Sequence, residues 1–169
     1  RILREEHPST LQSMANLAGT YRNQGRYEEA EALLREALEI QRRVLGDEHP
    51  ETLVSMLLLA NAIRYQEGRL EEAMALDRRT FEISRRVLGE DHRQTHDLRY
   101  NLACGAAKHG RRREAISLLQ DAMNNGYSGH WIGVEDDPDL TSLHGTPEFE
   151  AILAEHARRK EEVAPSTVE

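Results

Sequence analysis

Pro8 and Pro50 stand 42 residues apart, and the same interval separates Thr10 from Thr52, Met14 from Met56 and Ala18 from Ala60. Thr52 to Thr95 and Ala60 to Ala103 each span 43. Gly25, Gly68 and Gly110 keep this beat, as do Ala30, Ala73 and Ala115. A phrase recurs with it: "RILREEHPSTL" from Arg1, "RRVLGDEHPETL" over 42–53 and "RRVLGEDHRQT" from Arg85. A fixed period of about 20 to 50 residues marks a solenoid, because one such unit cannot bury its apolar face alone and must stack on its neighbours. The odd extra residue can be placed. Gly25 follows Leu17 by eight residues, and Gly68 follows Leu59 by nine. The insertion therefore falls between Ala60 and Gly68, late in the first helix of the second unit or in its turn.

Each unit reads as a helical hairpin. Leu11, Met14, Leu17, Ala18 and Tyr21 make one stripe on a helix of about 3.6 residues per turn. Pro8 and Pro50 suit a first helical position, where a missing N–H costs nothing. Gly25 breaks the helix as a left-handed cap. A second helix is expected from about Tyr27, burying Ala30, Leu33, Leu34, Ala37, Leu38, Val44 and Leu45 and ending at Gly46. The second unit repeats the pattern with Leu53, Met56, Leu59 and Ala60, then Leu70, Ala73, Leu76, Phe81, Val87 and Leu88. The third uses Leu98, Leu102 and Ala103, then Ala115, Leu118, Leu119 and Ala122.

"MANLAGTYRNQGRYEEAEALLREAL" resembles a tetratricopeptide repeat at Leu17, Ala18, Tyr21, Gly25, Tyr27, Ala30, Leu34 and Ala37. The 42-residue period and the "RVLG-x-x-HP-x-T" linker resemble the longer variant of kinesin light chains and of many bacterial and fungal regulatory proteins. The resemblance covers roughly residues 1–125. It implies an all-α, right-handed α-solenoid of helical hairpins. Three hairpins are expected at about 8–46, 50–89 and 93–125, within a repeat region of 8–126. Residues 1–7 read as the tail of a preceding repeat, so the natural protein is expected to continue N-terminally. The pattern has departures: Asp77 stands where Leu34 and Leu119 stand, Leu58 where Asn16 and Asn101 stand, and Arg93 replaces the linker proline.

From Asn124 the period stops. Asp137-Pro138 and Thr146-Pro147 each place a capping side chain before a proline. Glu148, Phe149, Ile152 and Leu153 then form a short amphipathic stripe. Solenoids need an atypical end unit over the last apolar face. Residues 127–160 are expected to be that helical cap, using Trp131, Ile132, Val134, Leu140, Leu143, Phe149, Ile152 and Leu153, with 161–169 disordered.

The net charge of −8 argues against nucleic-acid and membrane-surface partners, which need clustered positive charge. "KHGRRRE" from Lys108 is too short a basic run, in too acidic a chain, to change that. The single cysteine, Cys104, excludes an internal disulfide framework and fits a reducing, cytoplasmic setting. No apolar run approaches the ~18 residues of a membrane span.

First helices of such repeats line the concave face. The residues expected there are Gln12, Asn16, Gly19, Arg22 and Asn23, then Leu57, Leu58, Asn61, Arg64 and Tyr65, then Asp97, Tyr100, Asn101, Cys104 and Lys108. Asn16 and Asn101 hold the place at which the resemblance implies asparagines gripping a peptide backbone. A carboxamide donates and accepts, so it matches an extended chain. Arg22, Arg64 and Lys108 would bring positive charge to the groove, and Tyr65 and Tyr100 flat contact surface. The expected ligand is an extended peptide or partner segment of acidic character, bound at Asn16, Arg22, Asn23, Asn61, Arg64, Tyr65, Tyr100, Asn101 and Lys108. The bland alternative has the asparagines bridging neighbouring helices and the basic groups merely solvated.

Other chemistry reads weakly. His92 and His96 have a zinc-chelating spacing, but His7, His49 and His92 are equivalent linker positions. Cys104 beside His109 or His96 lacks a nucleophile elbow. "DDPD" at 136–139 lacks the spacing of a calcium loop, and helix capping explains it better. No catalytic residue, metal or cofactor is expected. Asp77 is costly to bury unpaired, so partial exposure or an arginine partner such as Arg99 is expected. The leading reading is a non-catalytic interaction module. The rival is an architectural or oligomerisation spacer stacking through its N-terminal face, or a regulatory region of a larger protein such as a kinase or NTPase.

Overall fold

The computed structural model describes residues 7–125 and 133–163. Six helices form three hairpins: α1 (Pro8–Asn23) with α2 (Tyr27–Leu45), α3 (Pro50–Arg64) with α4 (Leu70–Leu88), and α5 (Arg93–Lys108) with α6 (Arg112–Asn124). Two short 3-10 helices, Val134–Asp136 and Pro138–Leu143, lead into α7 (Pro147–Val163). No strand occurs among the described residues. Each helix from α1 to α6 packs on the next, and the first helices also touch one another, α1 with α3 and α3 with α5. Residues 1–6, Trp131, Ile132 and the tail from 164 lie outside the described residues, while α7 reaches three residues into the stretch expected to be disordered.

The recurring linker explains itself locally. His7, His49 and His92 each sit in extended backbone at the N-cap, and each imidazole Nδ1 accepts the N–H two residues on, from Ser9, Glu51 and Gln94. The linker histidine is thus a helix cap, satisfying a donor that the helix leaves open. The threonine three residues later is buried in the last linker, where Thr95 Oγ1 donates to the Gly89 carbonyl at 2.9 Å. Second helices open on Glu28-Glu29 and Glu71-Glu72 and close on Arg42-Arg43 and Arg85-Arg86, charges that match the helix dipole at both ends. Gly25 holds φ at 76°, the left-handed region that lets the chain reverse between α1 and α2.

The inserted residue lies in the second turn. Three residues, 24–26 and 109–111, join the helices of the first and third hairpins, whereas five, 65–69, join α3 to α4. The longer turn carries Gln66 and Arg69 onto the preceding hairpin. Gln66 Nε2 donates to Glu31 Oε2 at 2.6 Å, Arg69 Nη2 to Glu31 Oε1 at 2.9 Å and Arg35 Nε to the same Oε1 at 2.7 Å. Arg69 foremost holds the Glu31 carboxyl down at about 2. A depressed carboxyl stabilises the fold above its ordinary value of 4.5 and loses that contribution as pH falls toward 2. Glu31→Gln is expected to cost about 1–2 kcal/mol at pH 7, after solvent screening, and almost nothing at pH 2. Thermal melts of both chains across that range check the convergence.

Small residues set the helix spacing: Ala18, Ala30, Ala37, Ala60, Ala73, Ala103 and Ala115 are all buried. Of the expected core residues several, such as Met14, Leu33, Leu76 and Phe81, are half-buried, and three are exposed. Leu17 is 44 % exposed although its counterparts Leu59 and Leu102 are buried, because α2 and α4 cover those two and no described helix precedes α1. Val44 and Val87 sit in the last turn of their helices, off the buried line that runs Ala30, Leu34, Leu38 and Gln41 in α2, and are exposed. The closing segment packs on α5 and α6: Val134, Leu140, Leu143, Phe149 and Ile152 are buried in one cluster with Ala103, Ala115 and Leu119. Asp137 caps the second 3-10 helix by accepting the Asp139 N–H at 2.9 Å, as its sequence implied. Thr146 instead donates its hydroxyl to the Leu143 carbonyl at 2.7 Å.

Candidate functional site

The shared face of α1, α3 and α5 divides into two halves of different character. In the half formed by α3 and α5, a buried pair sets the chemistry. Arg64 and Asp77, 4 % and 0 % exposed, meet as Nη2 and Oδ2. Burial pushes the Asp77 carboxyl up, against the pull of the Arg64 guanidinium and the Asn101 carboxamide. Burial opposes the charge on Arg64 too, yet the charges of Asp77 and Asp139 outweigh it and hold the guanidinium protonated. Asp77 is therefore neither partly exposed nor paired with Arg99. Arg99 meets Glu90 at 2.5 Å and Asp121 at 2.8 Å.

The closing segment adds two further carboxylates to this half. Asp139 Oδ2 accepts from the Tyr65 hydroxyl at 3.1 Å, its Oδ1 accepts from Lys108 Nζ at 3.0 Å, and Arg64 Nη1 lies 3.7 Å away. Asp137 Oδ2 accepts from the Tyr100 hydroxyl at 2.7 Å, with Cys104 Sγ at 3.8 Å. Lys108 Nζ also sits 4.5 Å from the Tyr65 ring centre, and Tyr65 stacks on Tyr27 at 5.3 Å. Burial, then the Asp139 carboxylate, raise the Tyr65 phenol, while burial and Asp137 push the Cys104 thiol well up. Cys104 is thus a protonated, buried side chain, and its supposed partner His109 meets Glu71 at 2.6 Å. Cys104, Asp137 and Asp139 bring three ligand-type atoms within 4.8 Å of one another. Asp139 already faces two cations and Asp137 a phenol, so ion pairing and hydrogen bonding account for the cluster.

Six of the nine sequence-derived candidates are brought together here: Asn61 and Asn101 in the bridging role weighed as the alternative, and Arg64, Tyr65, Tyr100 and Lys108 on carboxylates of the chain itself. Arg64 and Tyr100 are buried rather than presented to a groove: Asp77 and Asp139 face the two Nη atoms of Arg64, and Asp137 takes the Tyr100 hydroxyl. Asn101 Nδ2 donates to Asn61 Oδ1 at 3.1 Å across α3 and α5, which is helix bridging. Tyr65 stays 38 % exposed, and Lys108 is turned onto Asp139. The residues missed by sequence reasoning are Asp137 and Asp139. Their signal was the "DDPDL" run, read as capping alone. Asp137 does cap, through one oxygen, and spends the other on Tyr100.

The half at α1 is open. Asn16 and Asn23 are exposed and Arg22 is half-buried. Asn16 Oδ1 accepts from Gln12 at 3.1 Å, and Asn23 Oδ1 accepts from Arg22 at 3.3 Å.

Consecutive antiparallel hairpins with a common inner face define a helical repeat protein of the solenoid class. Family models for the tetratricopeptide repeat match residues 10–51 and 59–125. The chain belongs to the tetratricopeptide repeat family. Among solved structures it is similar to a Podosopora anserina kinesin-light-chain-type protein with nearly identical TPR-like repeats, at 26 % identity and a TM-score of 0.69, covering 95 % of this chain and 80 % of that one. A single-residue variant of that protein matches at 24 % identity and a TM-score of 0.70, over 95 % and 79 % of the two chains. BtubC (BKLC) from P. vanneervenii shares the fold at 18 % identity and a TM-score of 0.71, over 99 % and 70 %. No curated protein matches significantly. Tetratricopeptide repeats are in general protein–protein interaction modules, and proteins of this kind are typically non-enzymatic scaffolds. No helix among the described residues is long and apolar enough to cross a membrane.

Proposed function

We propose that the inner face binds an extended segment of a partner protein and carries out no reaction. The observation behind this reading is the open polar row on α1, where among the described residues the Asn16 side chain meets Gln12, and Arg22 and Asn23 meet each other. Their donors and acceptors suit the N–H and C=O of an extended chain. Packing of α1 against α2 and α3 fixes the backbone that carries those groups before a ligand arrives, which lowers the ordering cost on the receptor side. In this reading 8–46, 50–89 and 93–125 are the repeat units, 127–160 closes the stack, and the protein works in the cytoplasm with Cys104 reduced. A disordered, acidic partner segment that orders on binding would be held at micromolar strength, about −8 kcal/mol. The test is an array of peptides probed with the whole chain. The Asn16→Ala/Asn23→Ala double variant is expected to weaken the strongest hits about tenfold. Unchanged affinity would retire the assignment.

The exposure of Leu17 favours a second reading. No described residue covers the side of α1 whose counterparts on α3 and α5 are covered, and that side could stack on another repeat or a second copy, as an architectural spacer would. Sedimentation at rising concentration is its test.

A further inference from the structure

We infer that the inner face is blind at its C-terminal end, filled by the chain's own Asp137-Pro138-Asp139 turn, and that Arg22 is, among the described residues, the inner-face cation left to read a partner's carboxylate. The inference rests on the groove reading above and narrows it to one half of the face. Repeat symmetry carries it. Arg22 and Arg64 occupy the same place in successive hairpins, 42 residues apart. Across from Arg64 stands Asp77; across from Arg22, at the equivalent position, stands Leu34, which is buried in the first core. Arg64 is therefore neutralised within its own hairpin, and Arg22 is not. Among the described residues the Arg22 guanidinium meets only the Asn23 carboxamide.

The other end shows what this face does with carboxylates when they are supplied. Two acids spaced one residue apart collect hydrogen bonds from Tyr65, Lys108 and Tyr100 and a close approach from Arg64. Both acids are nearly buried, and Val134 and Leu140 anchor the turn in the core on either side. A turn fastened at both flanks is a wall of the groove, so a partner's acidic group has no room there. Among the described residues the remaining carboxylate-reading chemistry is the Arg22 guanidinium beside Asn23, on the same helix as Asn16. A charge-assisted bond of this kind favours an Asp- or Glu-bearing peptide over its amide counterpart.

The experiment uses the whole chain and two acetylated, amidated hexapeptides. One is Asp-Pro-Asp-Leu-Thr-Ser, the sequence of residues 137–142, and the other has both aspartates replaced by asparagine. Side-chain amide NMR signals of Asn16, Asn23, Asn61 and Asn101 locate binding. The acidic peptide is expected to shift Asn16 and Asn23 while Asn61 and Asn101 stay still, and to bind about tenfold more tightly than the neutral one. Arg22→Gln should abolish that preference and Arg22→Lys should keep most of it, with circular dichroism confirming that both variants fold. Shifts centred on Asn61 and Asn101 would overturn the inference. Equal binding of both peptides at Asn16 and Asn23, indifferent to Arg22→Gln, would overturn it and leave the groove reading standing. Silence of all four amides with both peptides would sink both.

Discussion

Arg64→Met is expected to destabilise the protein by about 3–5 kcal/mol, because it strands Asp77 as a buried charge without its counterion. In a chain of this size that is a fall in Tm on the order of 10 °C. Asp77 is 0 % exposed and has only the Asn101 carboxamide to fall back on. Asp139 is less affected, since Lys108 and Tyr65 still hold it. The informative chain is the double variant Arg64→Met/Asp77→Leu, which writes at position 77 the residue that Leu34 and Leu119 supply in the other hairpins. Replacing both partners of a buried ion pair by apolar side chains is often neutral or better. The double variant should regain most of the lost Tm. If the single variant melts like the parent, the pair contributes nothing. If the double melts as low as the single, the loss came from packing and not from a stranded charge.

Phe149→Ala should cost a similar amount, about 3–5 kcal/mol, by the cavity it opens. Phe149 is fully buried, stacked on His144 at 5.2 Å, and shares a cluster with Leu119, Leu140 and Leu143. It fastens α7 to the last hairpin, whose outward apolar face must be covered. Urea unfolding measures the loss. A second readout is local: Cys104 is the single cysteine, buried beneath Asp137, and its reaction with a thiol reagent should quicken as the closing segment loosens. A cost below about 1 kcal/mol with an unchanged thiol rate would mean that α7 is not part of the cooperative core.

The architecture was legible because a repeat declares itself three times over. Helices, turn glycines and the linker could be read from spacing alone, and the insertion could be confined to the stretch before Gly68. What spacing could not convey was partnership between unlike parts of the chain. Asp77 was recognised as out of place, yet its partner was sought on Arg99 and lies on Arg64, thirteen residues back across the hairpin turn. Asp137 and Asp139 belong to a segment outside the period, so no alignment of the copies predicts what they touch. Leu17 was misjudged for the opposite reason: the copies made it look equivalent to Leu59 and Leu102, and equivalence in sequence is not equivalence in neighbours. The asparagines fared unevenly on the same ground, with Asn16 left open and Asn101 committed to Asn61.

Glu31, Met74 and Ile116 occupy one site in successive hairpins, as do Leu34, Asp77 and Leu119. At this site the first junction is ionic, built on Glu31 with Gln66 and Arg69 beside the apolar core, whereas Met74 faces Gly105 at the second so closely that a methyl group there would meet its Cγ at 2.9 Å. Each brick therefore carries an address. Shuffling or duplicating one would set a carboxylate against a glycine-width gap, or a thioether against an arginine, so a protein that looks modular is locked into a single order of assembly.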